Sequence, residues 1–244
     1  MKLQKLMGQL ERSTQELDDF AYLVSHDLKE PLSGIDAYSK LLMEDYSEEL
    51  GSEGRAHLEI LQRLSKRMEK LVDTLLQYSR VSELELSPKK TDLDSLLDKV
   101  LDSLRVTVEK SGATINVPRP LPVVDCDGAW VREVFSSLIG NAITYNDKEE
   151  NRVEIGWQDK PKQSNDGSEN SHPVFYVRDN GMGIDEEEKS KVFDLFTRLK
   201  SETRFGEGIG ASLAIARKVV EKHGGEIWLE SQPSEGTTFY FTLA

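Results

Sequence analysis

The sequence predicts a helical hairpin that pairs with a second copy into a four-helix bundle, followed by an α/β sandwich with a mixed sheet. Apolar residues keep a three-four spacing over two long segments separated by the turn-rich stretch Tyr46 to Gly54 (YSEELGSEG). That period breaks at Pro88, and beyond it short strand-like runs alternate with helical patterns. The length of 244 residues also exceeds the ~100–150 residues of one domain, so two compact units are expected.

In chain order, Leu3, Leu6, Leu10, Leu17, Phe20 and Val24, with Ser13 the one polar member, form the seam of a two-stranded coiled coil over residues 1–22. The helix continues from Phe20 to Tyr46 and reverses into a second arm carrying Leu61, Leu64, Met68, Leu71, Leu75 and Tyr78. Two helices alone cover so narrow a stripe poorly, so two hairpins meeting as a homodimeric bundle over residues 23–87 are the expected solution. Residues 88–244 should supply helices at Leu93 to Glu109, Gly128 to Tyr145 and Ser212 to His223 on one face of a sheet. Its strands are ATINV, VEIGW, VFYVRD, EIWLES and TTFYFTL. The stretch Gln158 to Pro173 reads as a polar loop, and no internal repeat is apparent.

Composition narrows the function classes. Lys and Arg number 31 against 44 Asp and Glu, a net charge of −13, so long-range attraction to nucleic acid or anionic lipid is not expected and any phosphate site must be local. No apolar run approaches the ~18–20 residues that span a bilayer, and the start MKLQKLMGQLERS lacks the apolar centre of a secretory signal. A cytoplasmic chain without membrane contact of its own is the expectation. The lone Cys126 can form neither an internal disulfide nor a thiolate cluster and reads as core filler in a reducing compartment.

Four segments carry residues suited to chemistry. In SHDLKEPL, Ser25 to Leu32, His26 lies opposite the apolar line Val24, Leu28, Leu32, so its imidazole should face water, and Asp27 can accept a ring proton and leave the other nitrogen nucleophilic. Pro31, lacking an amide hydrogen, should bend the helix one turn on. In SSLIGNAITY, Asn141 offers an amide oxygen of the kind Mg²⁺ accepts beside waters and phosphates, and Tyr145 can lie against a purine or simply pack. In RDNGMGI, Asp179 at a strand end can take an exocyclic amino proton of adenine, while Gly181 and Gly183 allow close backbone approach. In FGEGIGAS, Gly206, Gly208 and Gly210 lead into a helix whose first amides can cradle phosphate, though the spacing fits neither a dinucleotide fingerprint nor a Walker loop. Upstream, Phe193 and Phe196 can pack and Arg198 can reach a terminal phosphate, with Thr197 to Glu207 as a lid.

Taken in order, the histidine box, asparagine box, DxGxG, phenylalanine box, glycine-rich box and GTTF resemble the catalytic half of a two-component sensor histidine kinase, and SHDLKEPL looks most like the phytochrome-type variant. The resemblance runs from roughly Phe20 to Leu243. It implies a dimerisation and phosphotransfer domain followed by an ATP-binding domain of the Bergerat type shared with gyrase-like and chaperone ATPases. It further implies ATP and Mg²⁺ as cofactors, His26 as phospho-acceptor, Asp27 as its base, Asn141 as Mg²⁺ ligand and Asp179 as the adenine reader. Tyr145 matches a base-stacking position, Arg198 a phosphate contact, Thr237 a residue lining the adenine site, and Gly181, Gly183, Gly208 and Gly210 shape the pocket. The implied partners are a second copy, the receiver domain of a response regulator, and an N-terminal sensor acting through the coiled coil.

Four positions depart from the family pattern. One is Glu30, where many relatives carry a Thr or Asn used in dephosphorylating the partner, so phosphatase activity is not expected to follow from the resemblance. Ser137 stands where a first asparagine is usual, Thr144 where a phosphate-binding lysine is common, and Ser212 where a last glycine is expected. Reduced nucleotide affinity follows, and with it the alternative of a degenerate kinase that docks a regulator with little turnover. An ATPase of the gyrase or chaperone type remains a further alternative, which would not need the hairpin. His57 and His172 have no matching role, and His223, before two glycines at a helix end, is placed where a cation suits the helix dipole.

Overall fold

Heptad spacing and the clustered strands set up two separate bodies, and the chain divides between Leu84 and Glu85. The computed structural model describes residues 24–243 except His26, Leu84, 160–172, Arg198 and 200–207. The expected coiled coil of residues 1–22 therefore lies outside the described residues, as do His26, Arg198, Gly206, His172 and most of the expected lid.

The first unit is a hairpin. Helix α1 runs over 27–45, uninterrupted at Pro31, and α2 spans Gly51–Glu83. Between them Gly51 takes a left-handed φ of 63°, which a side chain would resist. The arms meet through Leu32, Leu58, Val72 and Val81, with buried serines where the helices approach. Ser65 Oγ donates to the Leu32 carbonyl at 2.7 Å. The expected apolar line of α1 splits here: Leu32 is buried, whereas Leu28, Ile35 and Leu42 stay exposed, as do Leu61, Leu64 and Met68 of α2.

The second unit is an α/β sandwich. Strand β1 (Lys89–Asp92) leads into α3 (Leu93–Ser111), followed by β2 (Thr114–Asn116), β3 (Val123–Cys126) and α4 (Gly128–Thr144). Strands β4 (Arg152–Asp159) and β5 (Pro173–Asp179), the short α5 (Glu186–Lys189), α6 (Ser212–Lys222), β6 (Ile227–Gln232) and β7 (Gly236–Thr242) complete it. The sheet order is β2-β4-β5-β7-β6, parallel between β2 and β4 and antiparallel elsewhere. All five expected strands lie in this mixed sheet. A separate ribbon of β1 with β3 was not expected, and Gln158, Asp159 and Pro173 extend β4 and β5 rather than belonging to the loop. Among the described residues no helix is long and apolar enough to cross a membrane.

Residue alternation decides which face of the sheet is buried. Phe175 and Val177 of β5 and Phe239 and Phe241 of β7 point inward, and Phe135 of α4 meets Phe175 and Phe241 edge-on at 6.4 and 5.3 Å. Burying each such ring contributes roughly 1.5–3 kcal/mol. The other face carries polar-tipped aromatics, with Trp228 stacked on Tyr240 at 5.5 Å. Cys126 is fully buried, as expected of core filler, and burial pushes its thiol pKa up. Phe193 packs on Phe239, but Phe196, also expected to pack, is exposed with a left-handed φ of 63°.

Helices α3 and α4 are capped by carboxylates. Asp92 accepts from the Asp94 amide and Asp127 from the Ala129 amide, each satisfying one orphan donor. His223 differs from the sequence expectation. It is buried, its Nε2 accepts the Asp127 amide at 3.1 Å, and its Nδ1 lies 2.8 Å from the Val219 carbonyl. A ring that accepts at Nε2 carries its proton on Nδ1 and is neutral, so it serves as a strut between the α6 C-terminus and the α4 N-cap rather than as a dipole cation. Replacing His223 with Ala leaves the part-buried Asp127 amide without its acceptor. The expected result is a loss of about 1–3 kcal/mol in urea unfolding of this unit.

Candidate nucleotide site

The inward face of β5 continues past Val177 to Asp179, so the same alternation that buries phenylalanine also buries a carboxylate at the strand end. Asp179 is 9% exposed. Its Oδ1 accepts the amides of Gly181 at 2.8 Å and Thr237 at 3.2 Å, which leaves the second oxygen for a ligand. Burial raises its pKa to about 6, against the lowering effect of those two amides.

Two glycines make this geometry possible. Gly183 has φ 68°, and a Cβ there would stand 1.9 Å from the Gln232 carbonyl oxygen. A Cβ on Gly181 would meet the Tyr145 carbonyl at 2.6 Å and Asp179 Oδ1 at 3.0 Å, so the turn after β5 is pressed directly onto the end of α4.

A recess opens beside Asp179. Asn141, Tyr145, Asp179, Gly183 and Thr237 line it, together with Ile184, Leu213 and Phe239 among its apolar walls. Thus five sequence-predicted residues from α4, β5, the turn after it and β7 share one cavity. Gly181 lies directly beneath Asp179, and Gly208 approaches the Tyr145 hydroxyl so closely that a Cβ there would stand 2.9 Å from it. Gly210, φ 72°, turns the chain toward α6. Asp27 is exposed on α1, in the other unit.

At the mouth of the recess the Asn141 amide faces Ser212, the first residue of α6, with Oγ 3.4 Å from Nδ2 and 3.5 Å from Oδ1. The N-cap residue of α6, Ala211, provides no side-chain hydrogen bond, so the first amides of that helix have no side-chain cap. Among the described residues no group of three or more His, Cys, Asp or Glu could hold a metal ion. The hard amide oxygen of Asn141 fits Mg²⁺ as one ligand, provided phosphates and water supply the rest. Of the departing positions, Thr144 is exposed and Ser137 Oγ is buried without a hydrogen-bond partner among the described residues.

Sequence reasoning missed the polar groups behind the site. Ser231 accepts the Ile184 amide at 2.8 Å, donates to the Gly236 carbonyl and meets the Thr237 hydroxyl at 2.9 Å. Asn146, Asn151 and Asn180 form an amide chain: Asn146 donates to both others, Asn151 donates to the Ile143 carbonyl at the end of α4, and Asn180 accepts the Arg152 amide. The only sequence signal was a concentration of asparagines after α4 and β5.

Because burial raises the Asp179 pKa, its charge opposes folding at neutral pH. That cost is absent well below the unfolded value of 3.8, grows as pH rises from there to about 6, and is complete above it. Asp179→Asn keeps an oxygen for both amides and removes the charge. The variant should therefore exceed wild type by roughly 2–3 kcal/mol at pH 8 in denaturant titrations, with the difference shrinking to about half a kcal/mol at pH 4 and disappearing below it.

Residues 126–244 match the model of the histidine kinase-, DNA gyrase B- and HSP90-like ATPases, and residues 16–84 match that of the His Kinase A phospho-acceptor domain. Over 99% of its length the chain is 50% identical to cyanobacterial phytochrome B of Nostoc sp., of which it covers 31%. It is 29% identical to the sensor protein kinase WalK of Staphylococcus aureus over 96% of this chain and 54% of that one. The fold matches full-length ShkA, crystallised with AMPPNP, at a TM-score of 0.67 and 24% identity over 92% of this chain and 45% of that one. The chain thus spans about a third of the phytochrome and about half of WalK. With a phospho-acceptor domain preceding an ATPase domain, it belongs to the sensor histidine kinases, of which it carries the catalytic core.

Proposed function

We propose that the chain is the core of a two-component kinase that transfers the γ-phosphoryl group of ATP to His26 and then passes it to an aspartate on a response-regulator receiver domain. The observation that carries this reading is the recess: a buried acceptor, Asp179, at its foot, apolar walls around it, and an amide oxygen beside an uncapped helix start at its mouth. That sequence of chemistries suits, in order, an exocyclic amino group, a flat purine and a polyphosphate.

In this reading Asp179 accepts the adenine amino proton, Tyr145 lies on the base, and Thr237 lines its far edge. The backbone freed by Gly208 and Gly210 follows the phosphates toward the first turn of α6. Arg198 offsets charge on the terminal phosphate, and Asn141 holds Mg²⁺. The metal, when bound with nucleotide, neutralises charge on the phosphate oxygens. An imidazole nitrogen of His26 attacks the γ-phosphorus, an N–P bond forms, the bond to the β–γ bridging oxygen breaks and ADP leaves. Asp27 takes the proton from the other ring nitrogen. Positioning and charge neutralisation, rather than covalent help from the protein, set the rate.

The exposed stripe of Leu28, Ile35, Leu42, Leu61, Leu64 and Met68 supports a homodimer, since a second hairpin would bury it as a four-helix bundle. The boundaries 1–22, 23–87 and 88–244 would then separate a signalling coil, a dimerising phospho-acceptor unit and a catalytic unit working in the cytoplasm. A sensor preceding the coil, in the same chain or a partner, would act by changing helix packing. No observation favours the scaffold alternative.

Labelled ATP tests the proposal directly. Wild type should acquire an acid-labile, base-stable phosphoryl adduct, and His26→Gln should acquire none. Asn141→Asp should lower labelling at least a hundredfold while its helical circular dichroism matches wild type. Undiminished label in His26→Gln would remove that residue from its role.

A further inference from the structure

We propose that Ser212 Oγ is a second protein oxygen on the divalent cation that accompanies the nucleotide, beside the amide oxygen of Asn141. This rests on the nucleotide reading above. Ser212 opens α6, and among the described residues its side chain meets Asn141 of α4, 71 residues away in sequence. The hydroxyl lies 3.4 Å from one amide atom of Asn141 and 3.5 Å from the other, so an oxygen pair exists whichever way the amide is turned.

Those separations are at the weak limit of hydrogen bonding, and both oxygens keep lone pairs for a third group. Octahedral Mg²⁺ with ligands at 2.0–2.1 Å sets neighbouring oxygens about 2.9 Å apart. Closing the Ser212–Asn141 gap by roughly half an ångström would satisfy two adjacent positions, leaving the others to phosphate oxygens and water. Both side chains are solvent-accessible, so neither must be dragged from a packed core to do this.

The helix dipole decides whether a cation is tolerated there. The positive end of α6 repels a bare Mg²⁺. A nucleotide triphosphate with its metal, however, still carries a net charge of about −2, and the same dipole attracts it. The pair is therefore built to take the metal together with phosphate and not alone.

The test uses the whole chain, a non-hydrolysable ATP analogue and Mn²⁺, followed by electron paramagnetic resonance. With the analogue bound, Ser212→Ala should raise the Mn²⁺ concentration for half-saturation about tenfold. Ser212→Thr, which keeps the hydroxyl, should stay within about twofold of wild type, and analogue binding in EDTA should be the same in all three. Mn²⁺ dependence in Ser212→Ala equal to wild type would overturn the proposal. So would an equal loss of analogue binding in EDTA, which would make the hydroxyl a nucleotide contact. Failure of wild type to bind the analogue at all would instead overturn the nucleotide reading, and the proposal with it.

Discussion

The candidate site in the second unit depends on a carboxylate that is buried at a strand end and held there by backbone amides. Asp179 sits at the end of β5 on the same face as Phe175 and Val177, so the strand's own alternation drives it inward. Among the described residues, two backbone amides oppose the desolvation of its charge. Those amides come from Gly181, two residues on, and from Thr237 on β7, the neighbouring strand. The register of β5 with β7 and the tight turn after β5 together bring both amides to one oxygen. A cation there would have lowered the pKa further but would also have occupied the acceptor that a ligand needs. In the proposed reading the residue trades stability for a prepared recognition atom.

Much of the fold was legible because its signals are local. The break at Pro88, the strands VFYVRD and TTFYFTL and the helix starting at Gly128 each follow from a period or a breaker readable within ten residues. The ribbon of β1 with β3 was not legible. Lys89–Asp92 reads as a polar linker, and its pairing with Val123–Cys126 is a contact more than thirty residues long that no local period announces. His223 failed for a related reason. A histidine at a helix end suits a cation by dipole alone, but the acceptor role comes from the Asp127 amide, which the sequence places 96 residues away.

The site divides along the same line. Asp179, Asn141, Gly183 and Thr237 were named because each belongs to a motif in a recognisable order, and they line one recess. The amide chain of Asn146, Asn151 and Asn180 and the hydroxyl hub at Ser231 belong to no motif. Their identity is dictated by partners, since an amide or hydroxyl can give and take at once and so close off a buried carbonyl and a buried amide together. Phe196 was misread because the aromatic spacing of VFDLFTRL suits a packed helix, whereas the chain leaves that course at a left-handed residue.

Satisfaction of polar groups separates the structural residues from the recognising ones. Asn151, Asn180, Ser231 and His223 have their donors and acceptors matched at 2.8–3.1 Å, and they lie behind the recess or across the helix layer. Asn141 and Ser212 meet each other only at 3.4–3.5 Å, and Asp179 commits one oxygen of two. An under-satisfied group that water can reach costs little while the site is open, because water supplies the missing bond. It becomes worth a full interaction when a ligand excludes that water. In the proposed reading binding free energy is thus concentrated at the few atoms left incomplete, with the fully bonded network behind them holding those atoms in place.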